Sequence, residues 1–145
     1  MINEKNIGEF LYSTDKTKLN IEYIHYFLSK ESYWAKNIPI ELVKTSIEGS
    51  LCFGVYYQGK QIGFARVITD YATFGYLADV FIDKNYRGKG LSKELMKFIM
   101  EQEVIKKLRR FMLATLDAHS LYAQFGFESQ EGNKRFMSIK FFEEY

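Results

Sequence analysis

The sequence predicts a single domain of mixed α and β structure (α+β). Two apolar runs, Leu51–Tyr57 and Ile62–Ile68, flank Gln58-Gly59-Lys60, an arrangement typical of a β-hairpin. Residues Leu77–Leu95 change from a strand pattern to a short basic loop with two glycines and then to an amphipathic helix. Apolar residues make up 47% of the 145 residues, which is enough for one hydrophobic core and too much for a disordered chain. No linker or repeat interrupts these patterns, so we predict one domain over residues 1–145.

The other elements follow from apolar spacing and from turn residues. Apolar residues at helical intervals predict helices at Leu19–Leu28 and Ile40–Ile47, and Pro39 is favourable in the first turn of the second. Asp117 is a suitable N-cap for a later helix that carries Tyr122. The predicted strands are Ile7–Tyr12, Leu51–Tyr57, Ile62–Ile68, Tyr76–Ile82, Phe111–Thr115 and Phe136–Phe142, the last of which can close the sheet.

Charge and composition exclude several classes of function. The net charge of +2 is too balanced to indicate a nucleic acid or an anionic membrane as partner. One cysteine excludes an intramolecular disulfide, and the scattered two histidines and one cysteine predict no metal site. The segment Met1–Lys5 has no apolar signal core, and no apolar run is long enough to span a membrane. We therefore expect a cytoplasmic protein; a homodimer is compatible with the sequence.

The strongest functional motif is Arg87-Gly88-Lys89-Gly90-Leu91-Ser92, which joins a strand to a helix. This order directs backbone N–H groups and a helix N-terminus toward one place, where Arg87, Lys89 and Lys93 add positive charge. The motif therefore predicts a site for a ligand that carries phosphates. A Walker loop needs a different glycine spacing, and a dinucleotide fingerprint needs a third glycine where this chain has Lys93, so neither matches.

The loop resembles the Arg-x-x-Gly-x-Gly/Ala loop of the GNAT superfamily of acyl-CoA-dependent N-acetyltransferases, with Ser92 as the final small residue. A second segment, Leu121–Phe127, resembles the superfamily's Leu-Tyr-x-x-x-Gly-Phe element, and Ala118 also fits. Thr115 stands where many members have asparagine. The resemblance covers residues 50–128. It implies a GNAT-like fold, with a mostly antiparallel, partly splayed sheet of about six to seven strands flanked by about four helices, and acetyl-CoA as the co-substrate.

The resemblance also implies roles for individual residues. The backbone N–H of Val80 would stabilise the oxyanion, and the backbone of Ile82 would pair with the pantetheine arm. Tyr122 would act as the general acid that protonates the departing thiolate. The implied cofactor-binding residues are Val80, Phe81, Ile82, Arg87, Gly88, Lys89, Gly90, Leu91 and Ser92.

The general base is less clearly indicated. Asp79 is a carboxylate in an otherwise apolar strand, and it can be a base, a substrate anchor or a structural hydrogen-bond partner. His119 is the alternative base, since it lies three residues before Tyr122 on the same helical face, although a surface or capping role is more usual. His25 is interpreted as structural. Cys52 lies between apolar residues of a strand, which argues against a covalent acetyl-enzyme.

The acceptor site is predicted near Tyr33 and Trp34, with Asp79 as a third contributor. Aromatic rings with nearby carboxylates suit an amine that has apolar or aromatic parts, although the same rings can pack against the sheet. The sequence therefore predicts transfer of an acetyl group from acetyl-CoA to a primary amine, by direct attack in a ternary complex. A small-molecule acceptor is favoured; a protein α-amine or lysine, or a non-catalytic acyl-CoA sensor, is the alternative.

Overall fold

The computed structural model describes residues 1–145 and contains one six-stranded sheet with helices on both faces. Its strands lie in sequence order across the sheet, and all neighbours are antiparallel except the last pair, which is parallel. The strands are β1 (Glu4–Ile7), β2 (Phe10–Ser13), β3 (Ser50–Tyr57), β4 (Lys60–Thr69), β5 (Phe74–Ile82) and β6 (Arg110–Leu113). The α-helices are α1 (Ile21–Tyr26), α2 (Ile40–Glu48), α3 (Leu91–Met100), α4 (Glu103–Lys106) and α5 (His119–Ala123).

Two hydrophobic clusters hold the helices against the sheet. One cluster lies under α3, where Leu95 and Ile99 pack with Phe53 of β3. The other lies under α1 and α2, where Ile24 and Val43 join residues from the opposite face of the sheet. Because β3 and β4 are covered on both faces, they read as nearly continuous apolar runs, which is why the sequence predicted them well. None of the helices has both the length and the apolar character needed to cross a bilayer.

The N-terminal strand prediction was wrong in its extent. Ile7–Tyr12 is divided by a turn, because Gly8 has φ of +59° and reverses the chain between β1 and β2. The side chains of β1 are mostly exposed and polar, so this strand lacks the apolar alternation by which strands are recognised. The predicted helix Leu19–Leu28 is also interrupted, since α1 ends at Tyr26 and a π-helical turn follows at Phe27–Glu31.

Two predictions in the C-terminal part were also wrong. Phe136–Phe142 forms no strand, and the sheet ends at β6. The segment has strand-forming residues, but these favour a strand only against a neighbouring one; here Phe141 and its neighbours are exposed. Asp117 does not cap α5: the cap position is Ala118, whose N–H donates to Thr115 Oγ1 over 3.0 Å.

The predicted partial splay of the sheet is confirmed, and it lies between β5 and β6. β5 and β6 pair only from Phe74↔Arg110 to Leu77↔Leu113, whereas β5 continues to Ile82. The second half of β5 therefore has a free edge on the β6 side. An extended ligand can lie along such an edge and use its backbone groups.

Gly63 in β4 tests how closely the central strands pack. A Cβ atom there would lie 2.8 Å from Ile82 Cδ1 and 3.1 Å from the backbone oxygen of Phe81. We expect Gly63→Ala to lower the free energy of unfolding by about 1–3 kcal/mol, because the backbone contact cannot move away freely. Urea titration measures this. Gly132→Ala, which has no atom within 4 Å of the new Cβ, is the control; equal midpoints for both variants would contradict the prediction.

Candidate active site

A β-bulge at Asp79 and Val80 is the feature around which the site forms. The register between β4 and β5 steps from Phe64↔Phe81 to Arg66↔Ala78, so β5 contains one extra residue. Neither Asp79 nor Val80 has a partner residue in a neighbouring strand. Asp79 has φ of +54°, a left-handed conformation that costs a non-glycine residue about 1–3 kcal/mol. A bulge interrupts the ladder and bends its strand, so Asp79 and Val80 lie outside the regular pairing of β4 with β5.

The Asp79 carboxylate binds two side chains that lie far from it in sequence. One oxygen accepts from the Trp34 indole Nε1 at 2.8 Å, and the other accepts from Arg66 Nε at 2.6 Å. The side chains of the ion pair are only 16% (Arg66) and 10% (Asp79) exposed. Arg66 Nη1 also donates to Ser50 Oγ at 3.0 Å. Sequence reasoning missed Arg66, although one signal was available: it is the only charge within the apolar run Ile62–Ile68.

The aromatic residues predicted for the acceptor site do lie beside Asp79. Trp34 contacts it directly, and Tyr33 packs edge-on against Trp34 with ring centroids 5.0 Å apart. Phe27 lies 6.4 Å from Trp34 between ring centroids and stacks on Phe81 of β5 at 3.8 Å. Tyr33 and Trp34 remain exposed, so their rings form a surface and not part of the core. Such a surface can receive the carbon body or the cation of an amine.

Tyr122 lies on α5 and is nearly buried, with its ring packed edge-on against Phe127 at 6.0 Å. Burial raises the pKa of the Tyr122 phenol, and the nearby Tyr33 and Asp117 raise it further. The phenol therefore stays protonated at neutral pH, as a proton donor must.

The two histidines differ in their surroundings. His119 is exposed at the start of α5 and lines, with Tyr122, a groove of about 630 Å³ beside β6. His25 donates from Nε2 to the backbone oxygen of Ile38 at 2.9 Å, which is a structural contact between α1 and the segment before α2. His119 is therefore open to solvent, whereas His25 makes a structural hydrogen bond.

The glycine loop has the geometry of a phosphate site. Gly88 and Gly90 have φ of +79° and +76°, and a Cβ at either position would meet no atom within 4 Å. Gly90 directly precedes α3, and no side chain caps the free N–H groups at the start of this helix. Arg87 Nε donates to the backbone oxygen of Ile82 at 3.1 Å, which fixes the loop to the end of β5. The loop and the free edge of β5 thus form one continuous surface.

A search of family models matches residues 48–129 to the acetyltransferase (GNAT) domain, which is more than half of the chain. The chain belongs to the GNAT acetyltransferase family. It is therefore an acyltransferase, and family membership implies acetyl-CoA as the co-substrate. The open glycine loop and the splayed strand fit a phosphate-bearing ligand with an extended arm. No group of three or more histidine, cysteine, aspartate and glutamate side chains is arranged to hold a metal ion.

A solved structure and two related sequences agree with this assignment. A GNAT-family protein of Xanthomonas campestris is 47% identical, with a TM-score of 0.89 over 93% of this chain and 95% of the other. A predicted acetyltransferase of Gibberella zeae is 31% identical over 137 residues, covering 81% of this chain and 77% of the relative. The spermine/spermidine N(1)-acetyltransferase of Bacillus subtilis is 29% identical over 133 residues, covering 79% of this chain and 84% of the relative.

Cys52 of this GNAT protein is expected to react with iodoacetamide only after unfolding. Burial raises the pKa of its thiol from 9.0 to about 11, so the thiolate fraction near neutral pH is lower by about 100-fold than in the unfolded chain. The neutral thiol also stabilises the folded state below about pH 9, an effect that is lost as the pH rises through about 11. Mass spectrometry after labelling in buffer and in urea measures the difference. Equal labelling in both would show an accessible thiol and contradict the prediction.

Proposed function

We propose that the enzyme transfers the acetyl group of acetyl-CoA to the primary amine of a small molecule, by direct attack in a ternary complex. The observation that carries this proposal is that the glycine loop directly follows the unpaired half of β5, and that Tyr122 belongs to the same hydrophobic cluster as Ile82 of β5 and Leu91 of α3. A donor held along β5 would place its thioester at the bulge. The acceptor would then approach from the side of Tyr33 and Trp34.

The donor site would be formed mostly by backbone groups. The N–H groups from Gly88 to Ser92 would bind the pyrophosphate, with Arg87 and Lys89 supplying positive charge. The free edge at Val80–Ile82 would pair with the amides of the pantetheine arm, as an added strand does. Phe81 would contribute only its backbone, because its side chain is buried against Phe27. The open space beside Gly88 and Gly90 allows this close approach.

The chemistry would use one backbone donor and one phenol. The amine, after losing a proton to water, forms the new C–N bond at the thioester carbon. The Val80 N–H would donate to the oxyanion that develops there. As the C–S bond breaks, Tyr122 would give its proton to the leaving sulfur, and the proton released by the attacking amine restores the phenol. The buried Cys52 has no part in this sequence, so no acetyl-enzyme forms.

A small acceptor is supported by the aromatic surface and by one relative. The rings of Tyr33 and Trp34 suit the carbon body or cation of an amine. The Bacillus subtilis relative is named for spermine and spermidine, which are small amines. At 29% identity this supports the class of acceptor and not the individual compound.

The donor site is tested by Arg87→Ala combined with Gly90→Asp. The first change removes a charge-assisted hydrogen bond and the second places a carboxylate in the phosphate site, so acetyl-CoA should bind at least about 100-fold more weakly. Isothermal titration calorimetry measures this affinity. Arg135→Ala with Gly132→Asp makes the same chemical changes at exposed positions away from the loop and is the matched control. Unchanged affinity in the loop variant would remove the loop from the donor site.

Tyr122→Phe tests the general acid. Loss of the phenolic proton should lower kcat by about 100-fold or more, with little change in acetyl-CoA binding, because the proton is needed mainly as the thiolate departs. Steady-state rates and calorimetry separate the two effects. Tyr56→Phe is the control. Tyr56 lies on β3, and its hydroxyl is buried without a hydrogen-bond partner. A full rate in Tyr122→Phe would exclude this role.

The proposed reaction is tested first by release of free thiol from acetyl-CoA with a panel of polyamines, arylalkylamines, amino acids, aminoglycosides and short peptides. Release with a small amine, and initial-rate lines that intersect, would support direct attack in a ternary complex. Release with peptides alone would replace the small acceptor by a protein amine. Parallel initial-rate lines would indicate an acetyl-enzyme and contradict the mechanism.

A further inference from the structure

We propose that Asp79 is a positioning residue, which together with Arg66 holds the Trp34 indole as a wall of the acceptor site, and that it is not the general base. This inference deepens the proposed function and rests on it where it calls the surface an acceptor site. The contacts on which it depends join three side chains, those of Asp79, Arg66 and Trp34. Those side chains lie on β4, on β5 and on the segment between α1 and α2.

Each oxygen of the Asp79 carboxylate accepts a hydrogen bond from another side chain. The indole Nε1 of Trp34 donates to one at 2.8 Å, and Arg66 Nε donates to the other at 2.6 Å. Arg66 is fixed in turn, since its Nη1 donates to Ser50 Oγ, which donates to the backbone oxygen of Ser46 at 2.7 Å. A chain of hydrogen bonds therefore runs from the end of α2 across β3 and β4 to the bulge. It ends at the indole.

The ion pair with Arg66 gives Asp79 a structural role. Without the carboxylate, the Arg66 guanidinium, which is 16% exposed, would have no anion beside it. Breaking a nearly buried ion pair in this way is unfavourable, because water cannot replace the missing partner fully. We therefore assign Asp79 to positioning and give it no part in proton transfer. The amine would lose its proton to water.

Trp34 needs such a contact because it is not held by the core. It is 41% exposed and lies in an irregular segment, in which an unanchored side chain samples several rotamers. Its N–H is fixed by Asp79, and its ring lies against Tyr33 and Phe27. Phe27 stacks on Phe81, two residues beyond Asp79 in β5. The same short stretch of β5 thus positions both the indole and the Val80 peptide.

The position of the indole can be measured without turnover, because Trp34 is the only tryptophan in the chain. In Asp79→Ala, the indole loses its acceptor, so its emission should shift to the red and acrylamide should quench it more efficiently. Circular dichroism verifies that the variant is folded. Glu101→Gln, which removes an exposed ion pair with Lys5, is the control and should leave emission unchanged. Unchanged emission and quenching in folded Asp79→Ala would overturn the proposal, whatever the enzyme acetylates.

Kinetics separate positioning from base catalysis. Asp79→Asn keeps an oxygen acceptor of the same shape and should retain kcat within about 10-fold, with the acidic limb of the pH profile preserved, because it removes no base. Trp34→Phe keeps a ring but loses the N–H; it should raise the KM of the acceptor by about 10-fold and leave that of acetyl-CoA unchanged. This variant does not disturb the buried ion pair, so it remains informative if Asp79→Ala fails to fold.

The opposite results would overturn the inference. A loss of about 100-fold or more in kcat for Asp79→Asn, with the acidic limb removed, would identify Asp79 as the base. An unchanged acceptor KM in Trp34→Phe would show that the indole is not a wall of the site. If the wild-type enzyme acetylated no small amine, the proposed function would fail, while the fluorescence result would still decide whether Asp79 positions the indole.

Discussion

In the middle of the sheet, a guanidinium from β4 and a carboxylate from β5 face each other where little water reaches them. The Arg66–Asp79 pair joins the two strands at the point where their register breaks. Each charge makes the other tolerable, since removing either would leave an unpaired charge in a nearly buried position. Asp79 has a left-handed backbone conformation, which is unfavourable by itself. The ion pair with Arg66 and the hydrogen bond from the Trp34 indole hold the Asp79 side chain in place and so maintain this conformation. The rest of the site is arranged around this bulge.

A second constraint is the early end of β6. Since β6 stops at Leu113, the later half of β5 has no neighbouring strand on that side, while the side chains of Phe81 and Ile82 stay in the core. Phe81 shows this division clearly: its ring stacks on Phe27, and only its peptide is available. The glycine loop also presents backbone groups without side chains, because Gly88 and Gly90 leave the space before the start of α3 open. Donor recognition of the kind we propose would depend on backbone shape and tolerate variation in side chains.

Tyr122 and the aromatic surface come from different parts of the chain. Tyr122 lies on α5 after β6, whereas Tyr33 and Trp34 lie before α2. Burial keeps the Tyr122 phenol protonated by raising its pKa, and Tyr33 contributes to the same effect. A phenol that keeps its proton at neutral pH suits the role of proton donor proposed for Tyr122.

Local signals in the sequence determined the central strands, α2, α3, the glycine loop and the Tyr122 element. Each of these depends on the apolar spacing or the motif residues of one short segment. The sequence also singled out Asp79, as a charge in an apolar strand, and proposed Tyr33 and Trp34 for the acceptor site. Only the tertiary structure determined what these residues contact, because their partners lie far along the chain: Asp79 meets Arg66 13 positions away and Trp34 45 positions away. It also decided that β1 forms and that Phe136–Phe142 remains outside the sheet. A strand exists only with a neighbour, and neither a neighbour nor an ion-pair partner is encoded in the local pattern.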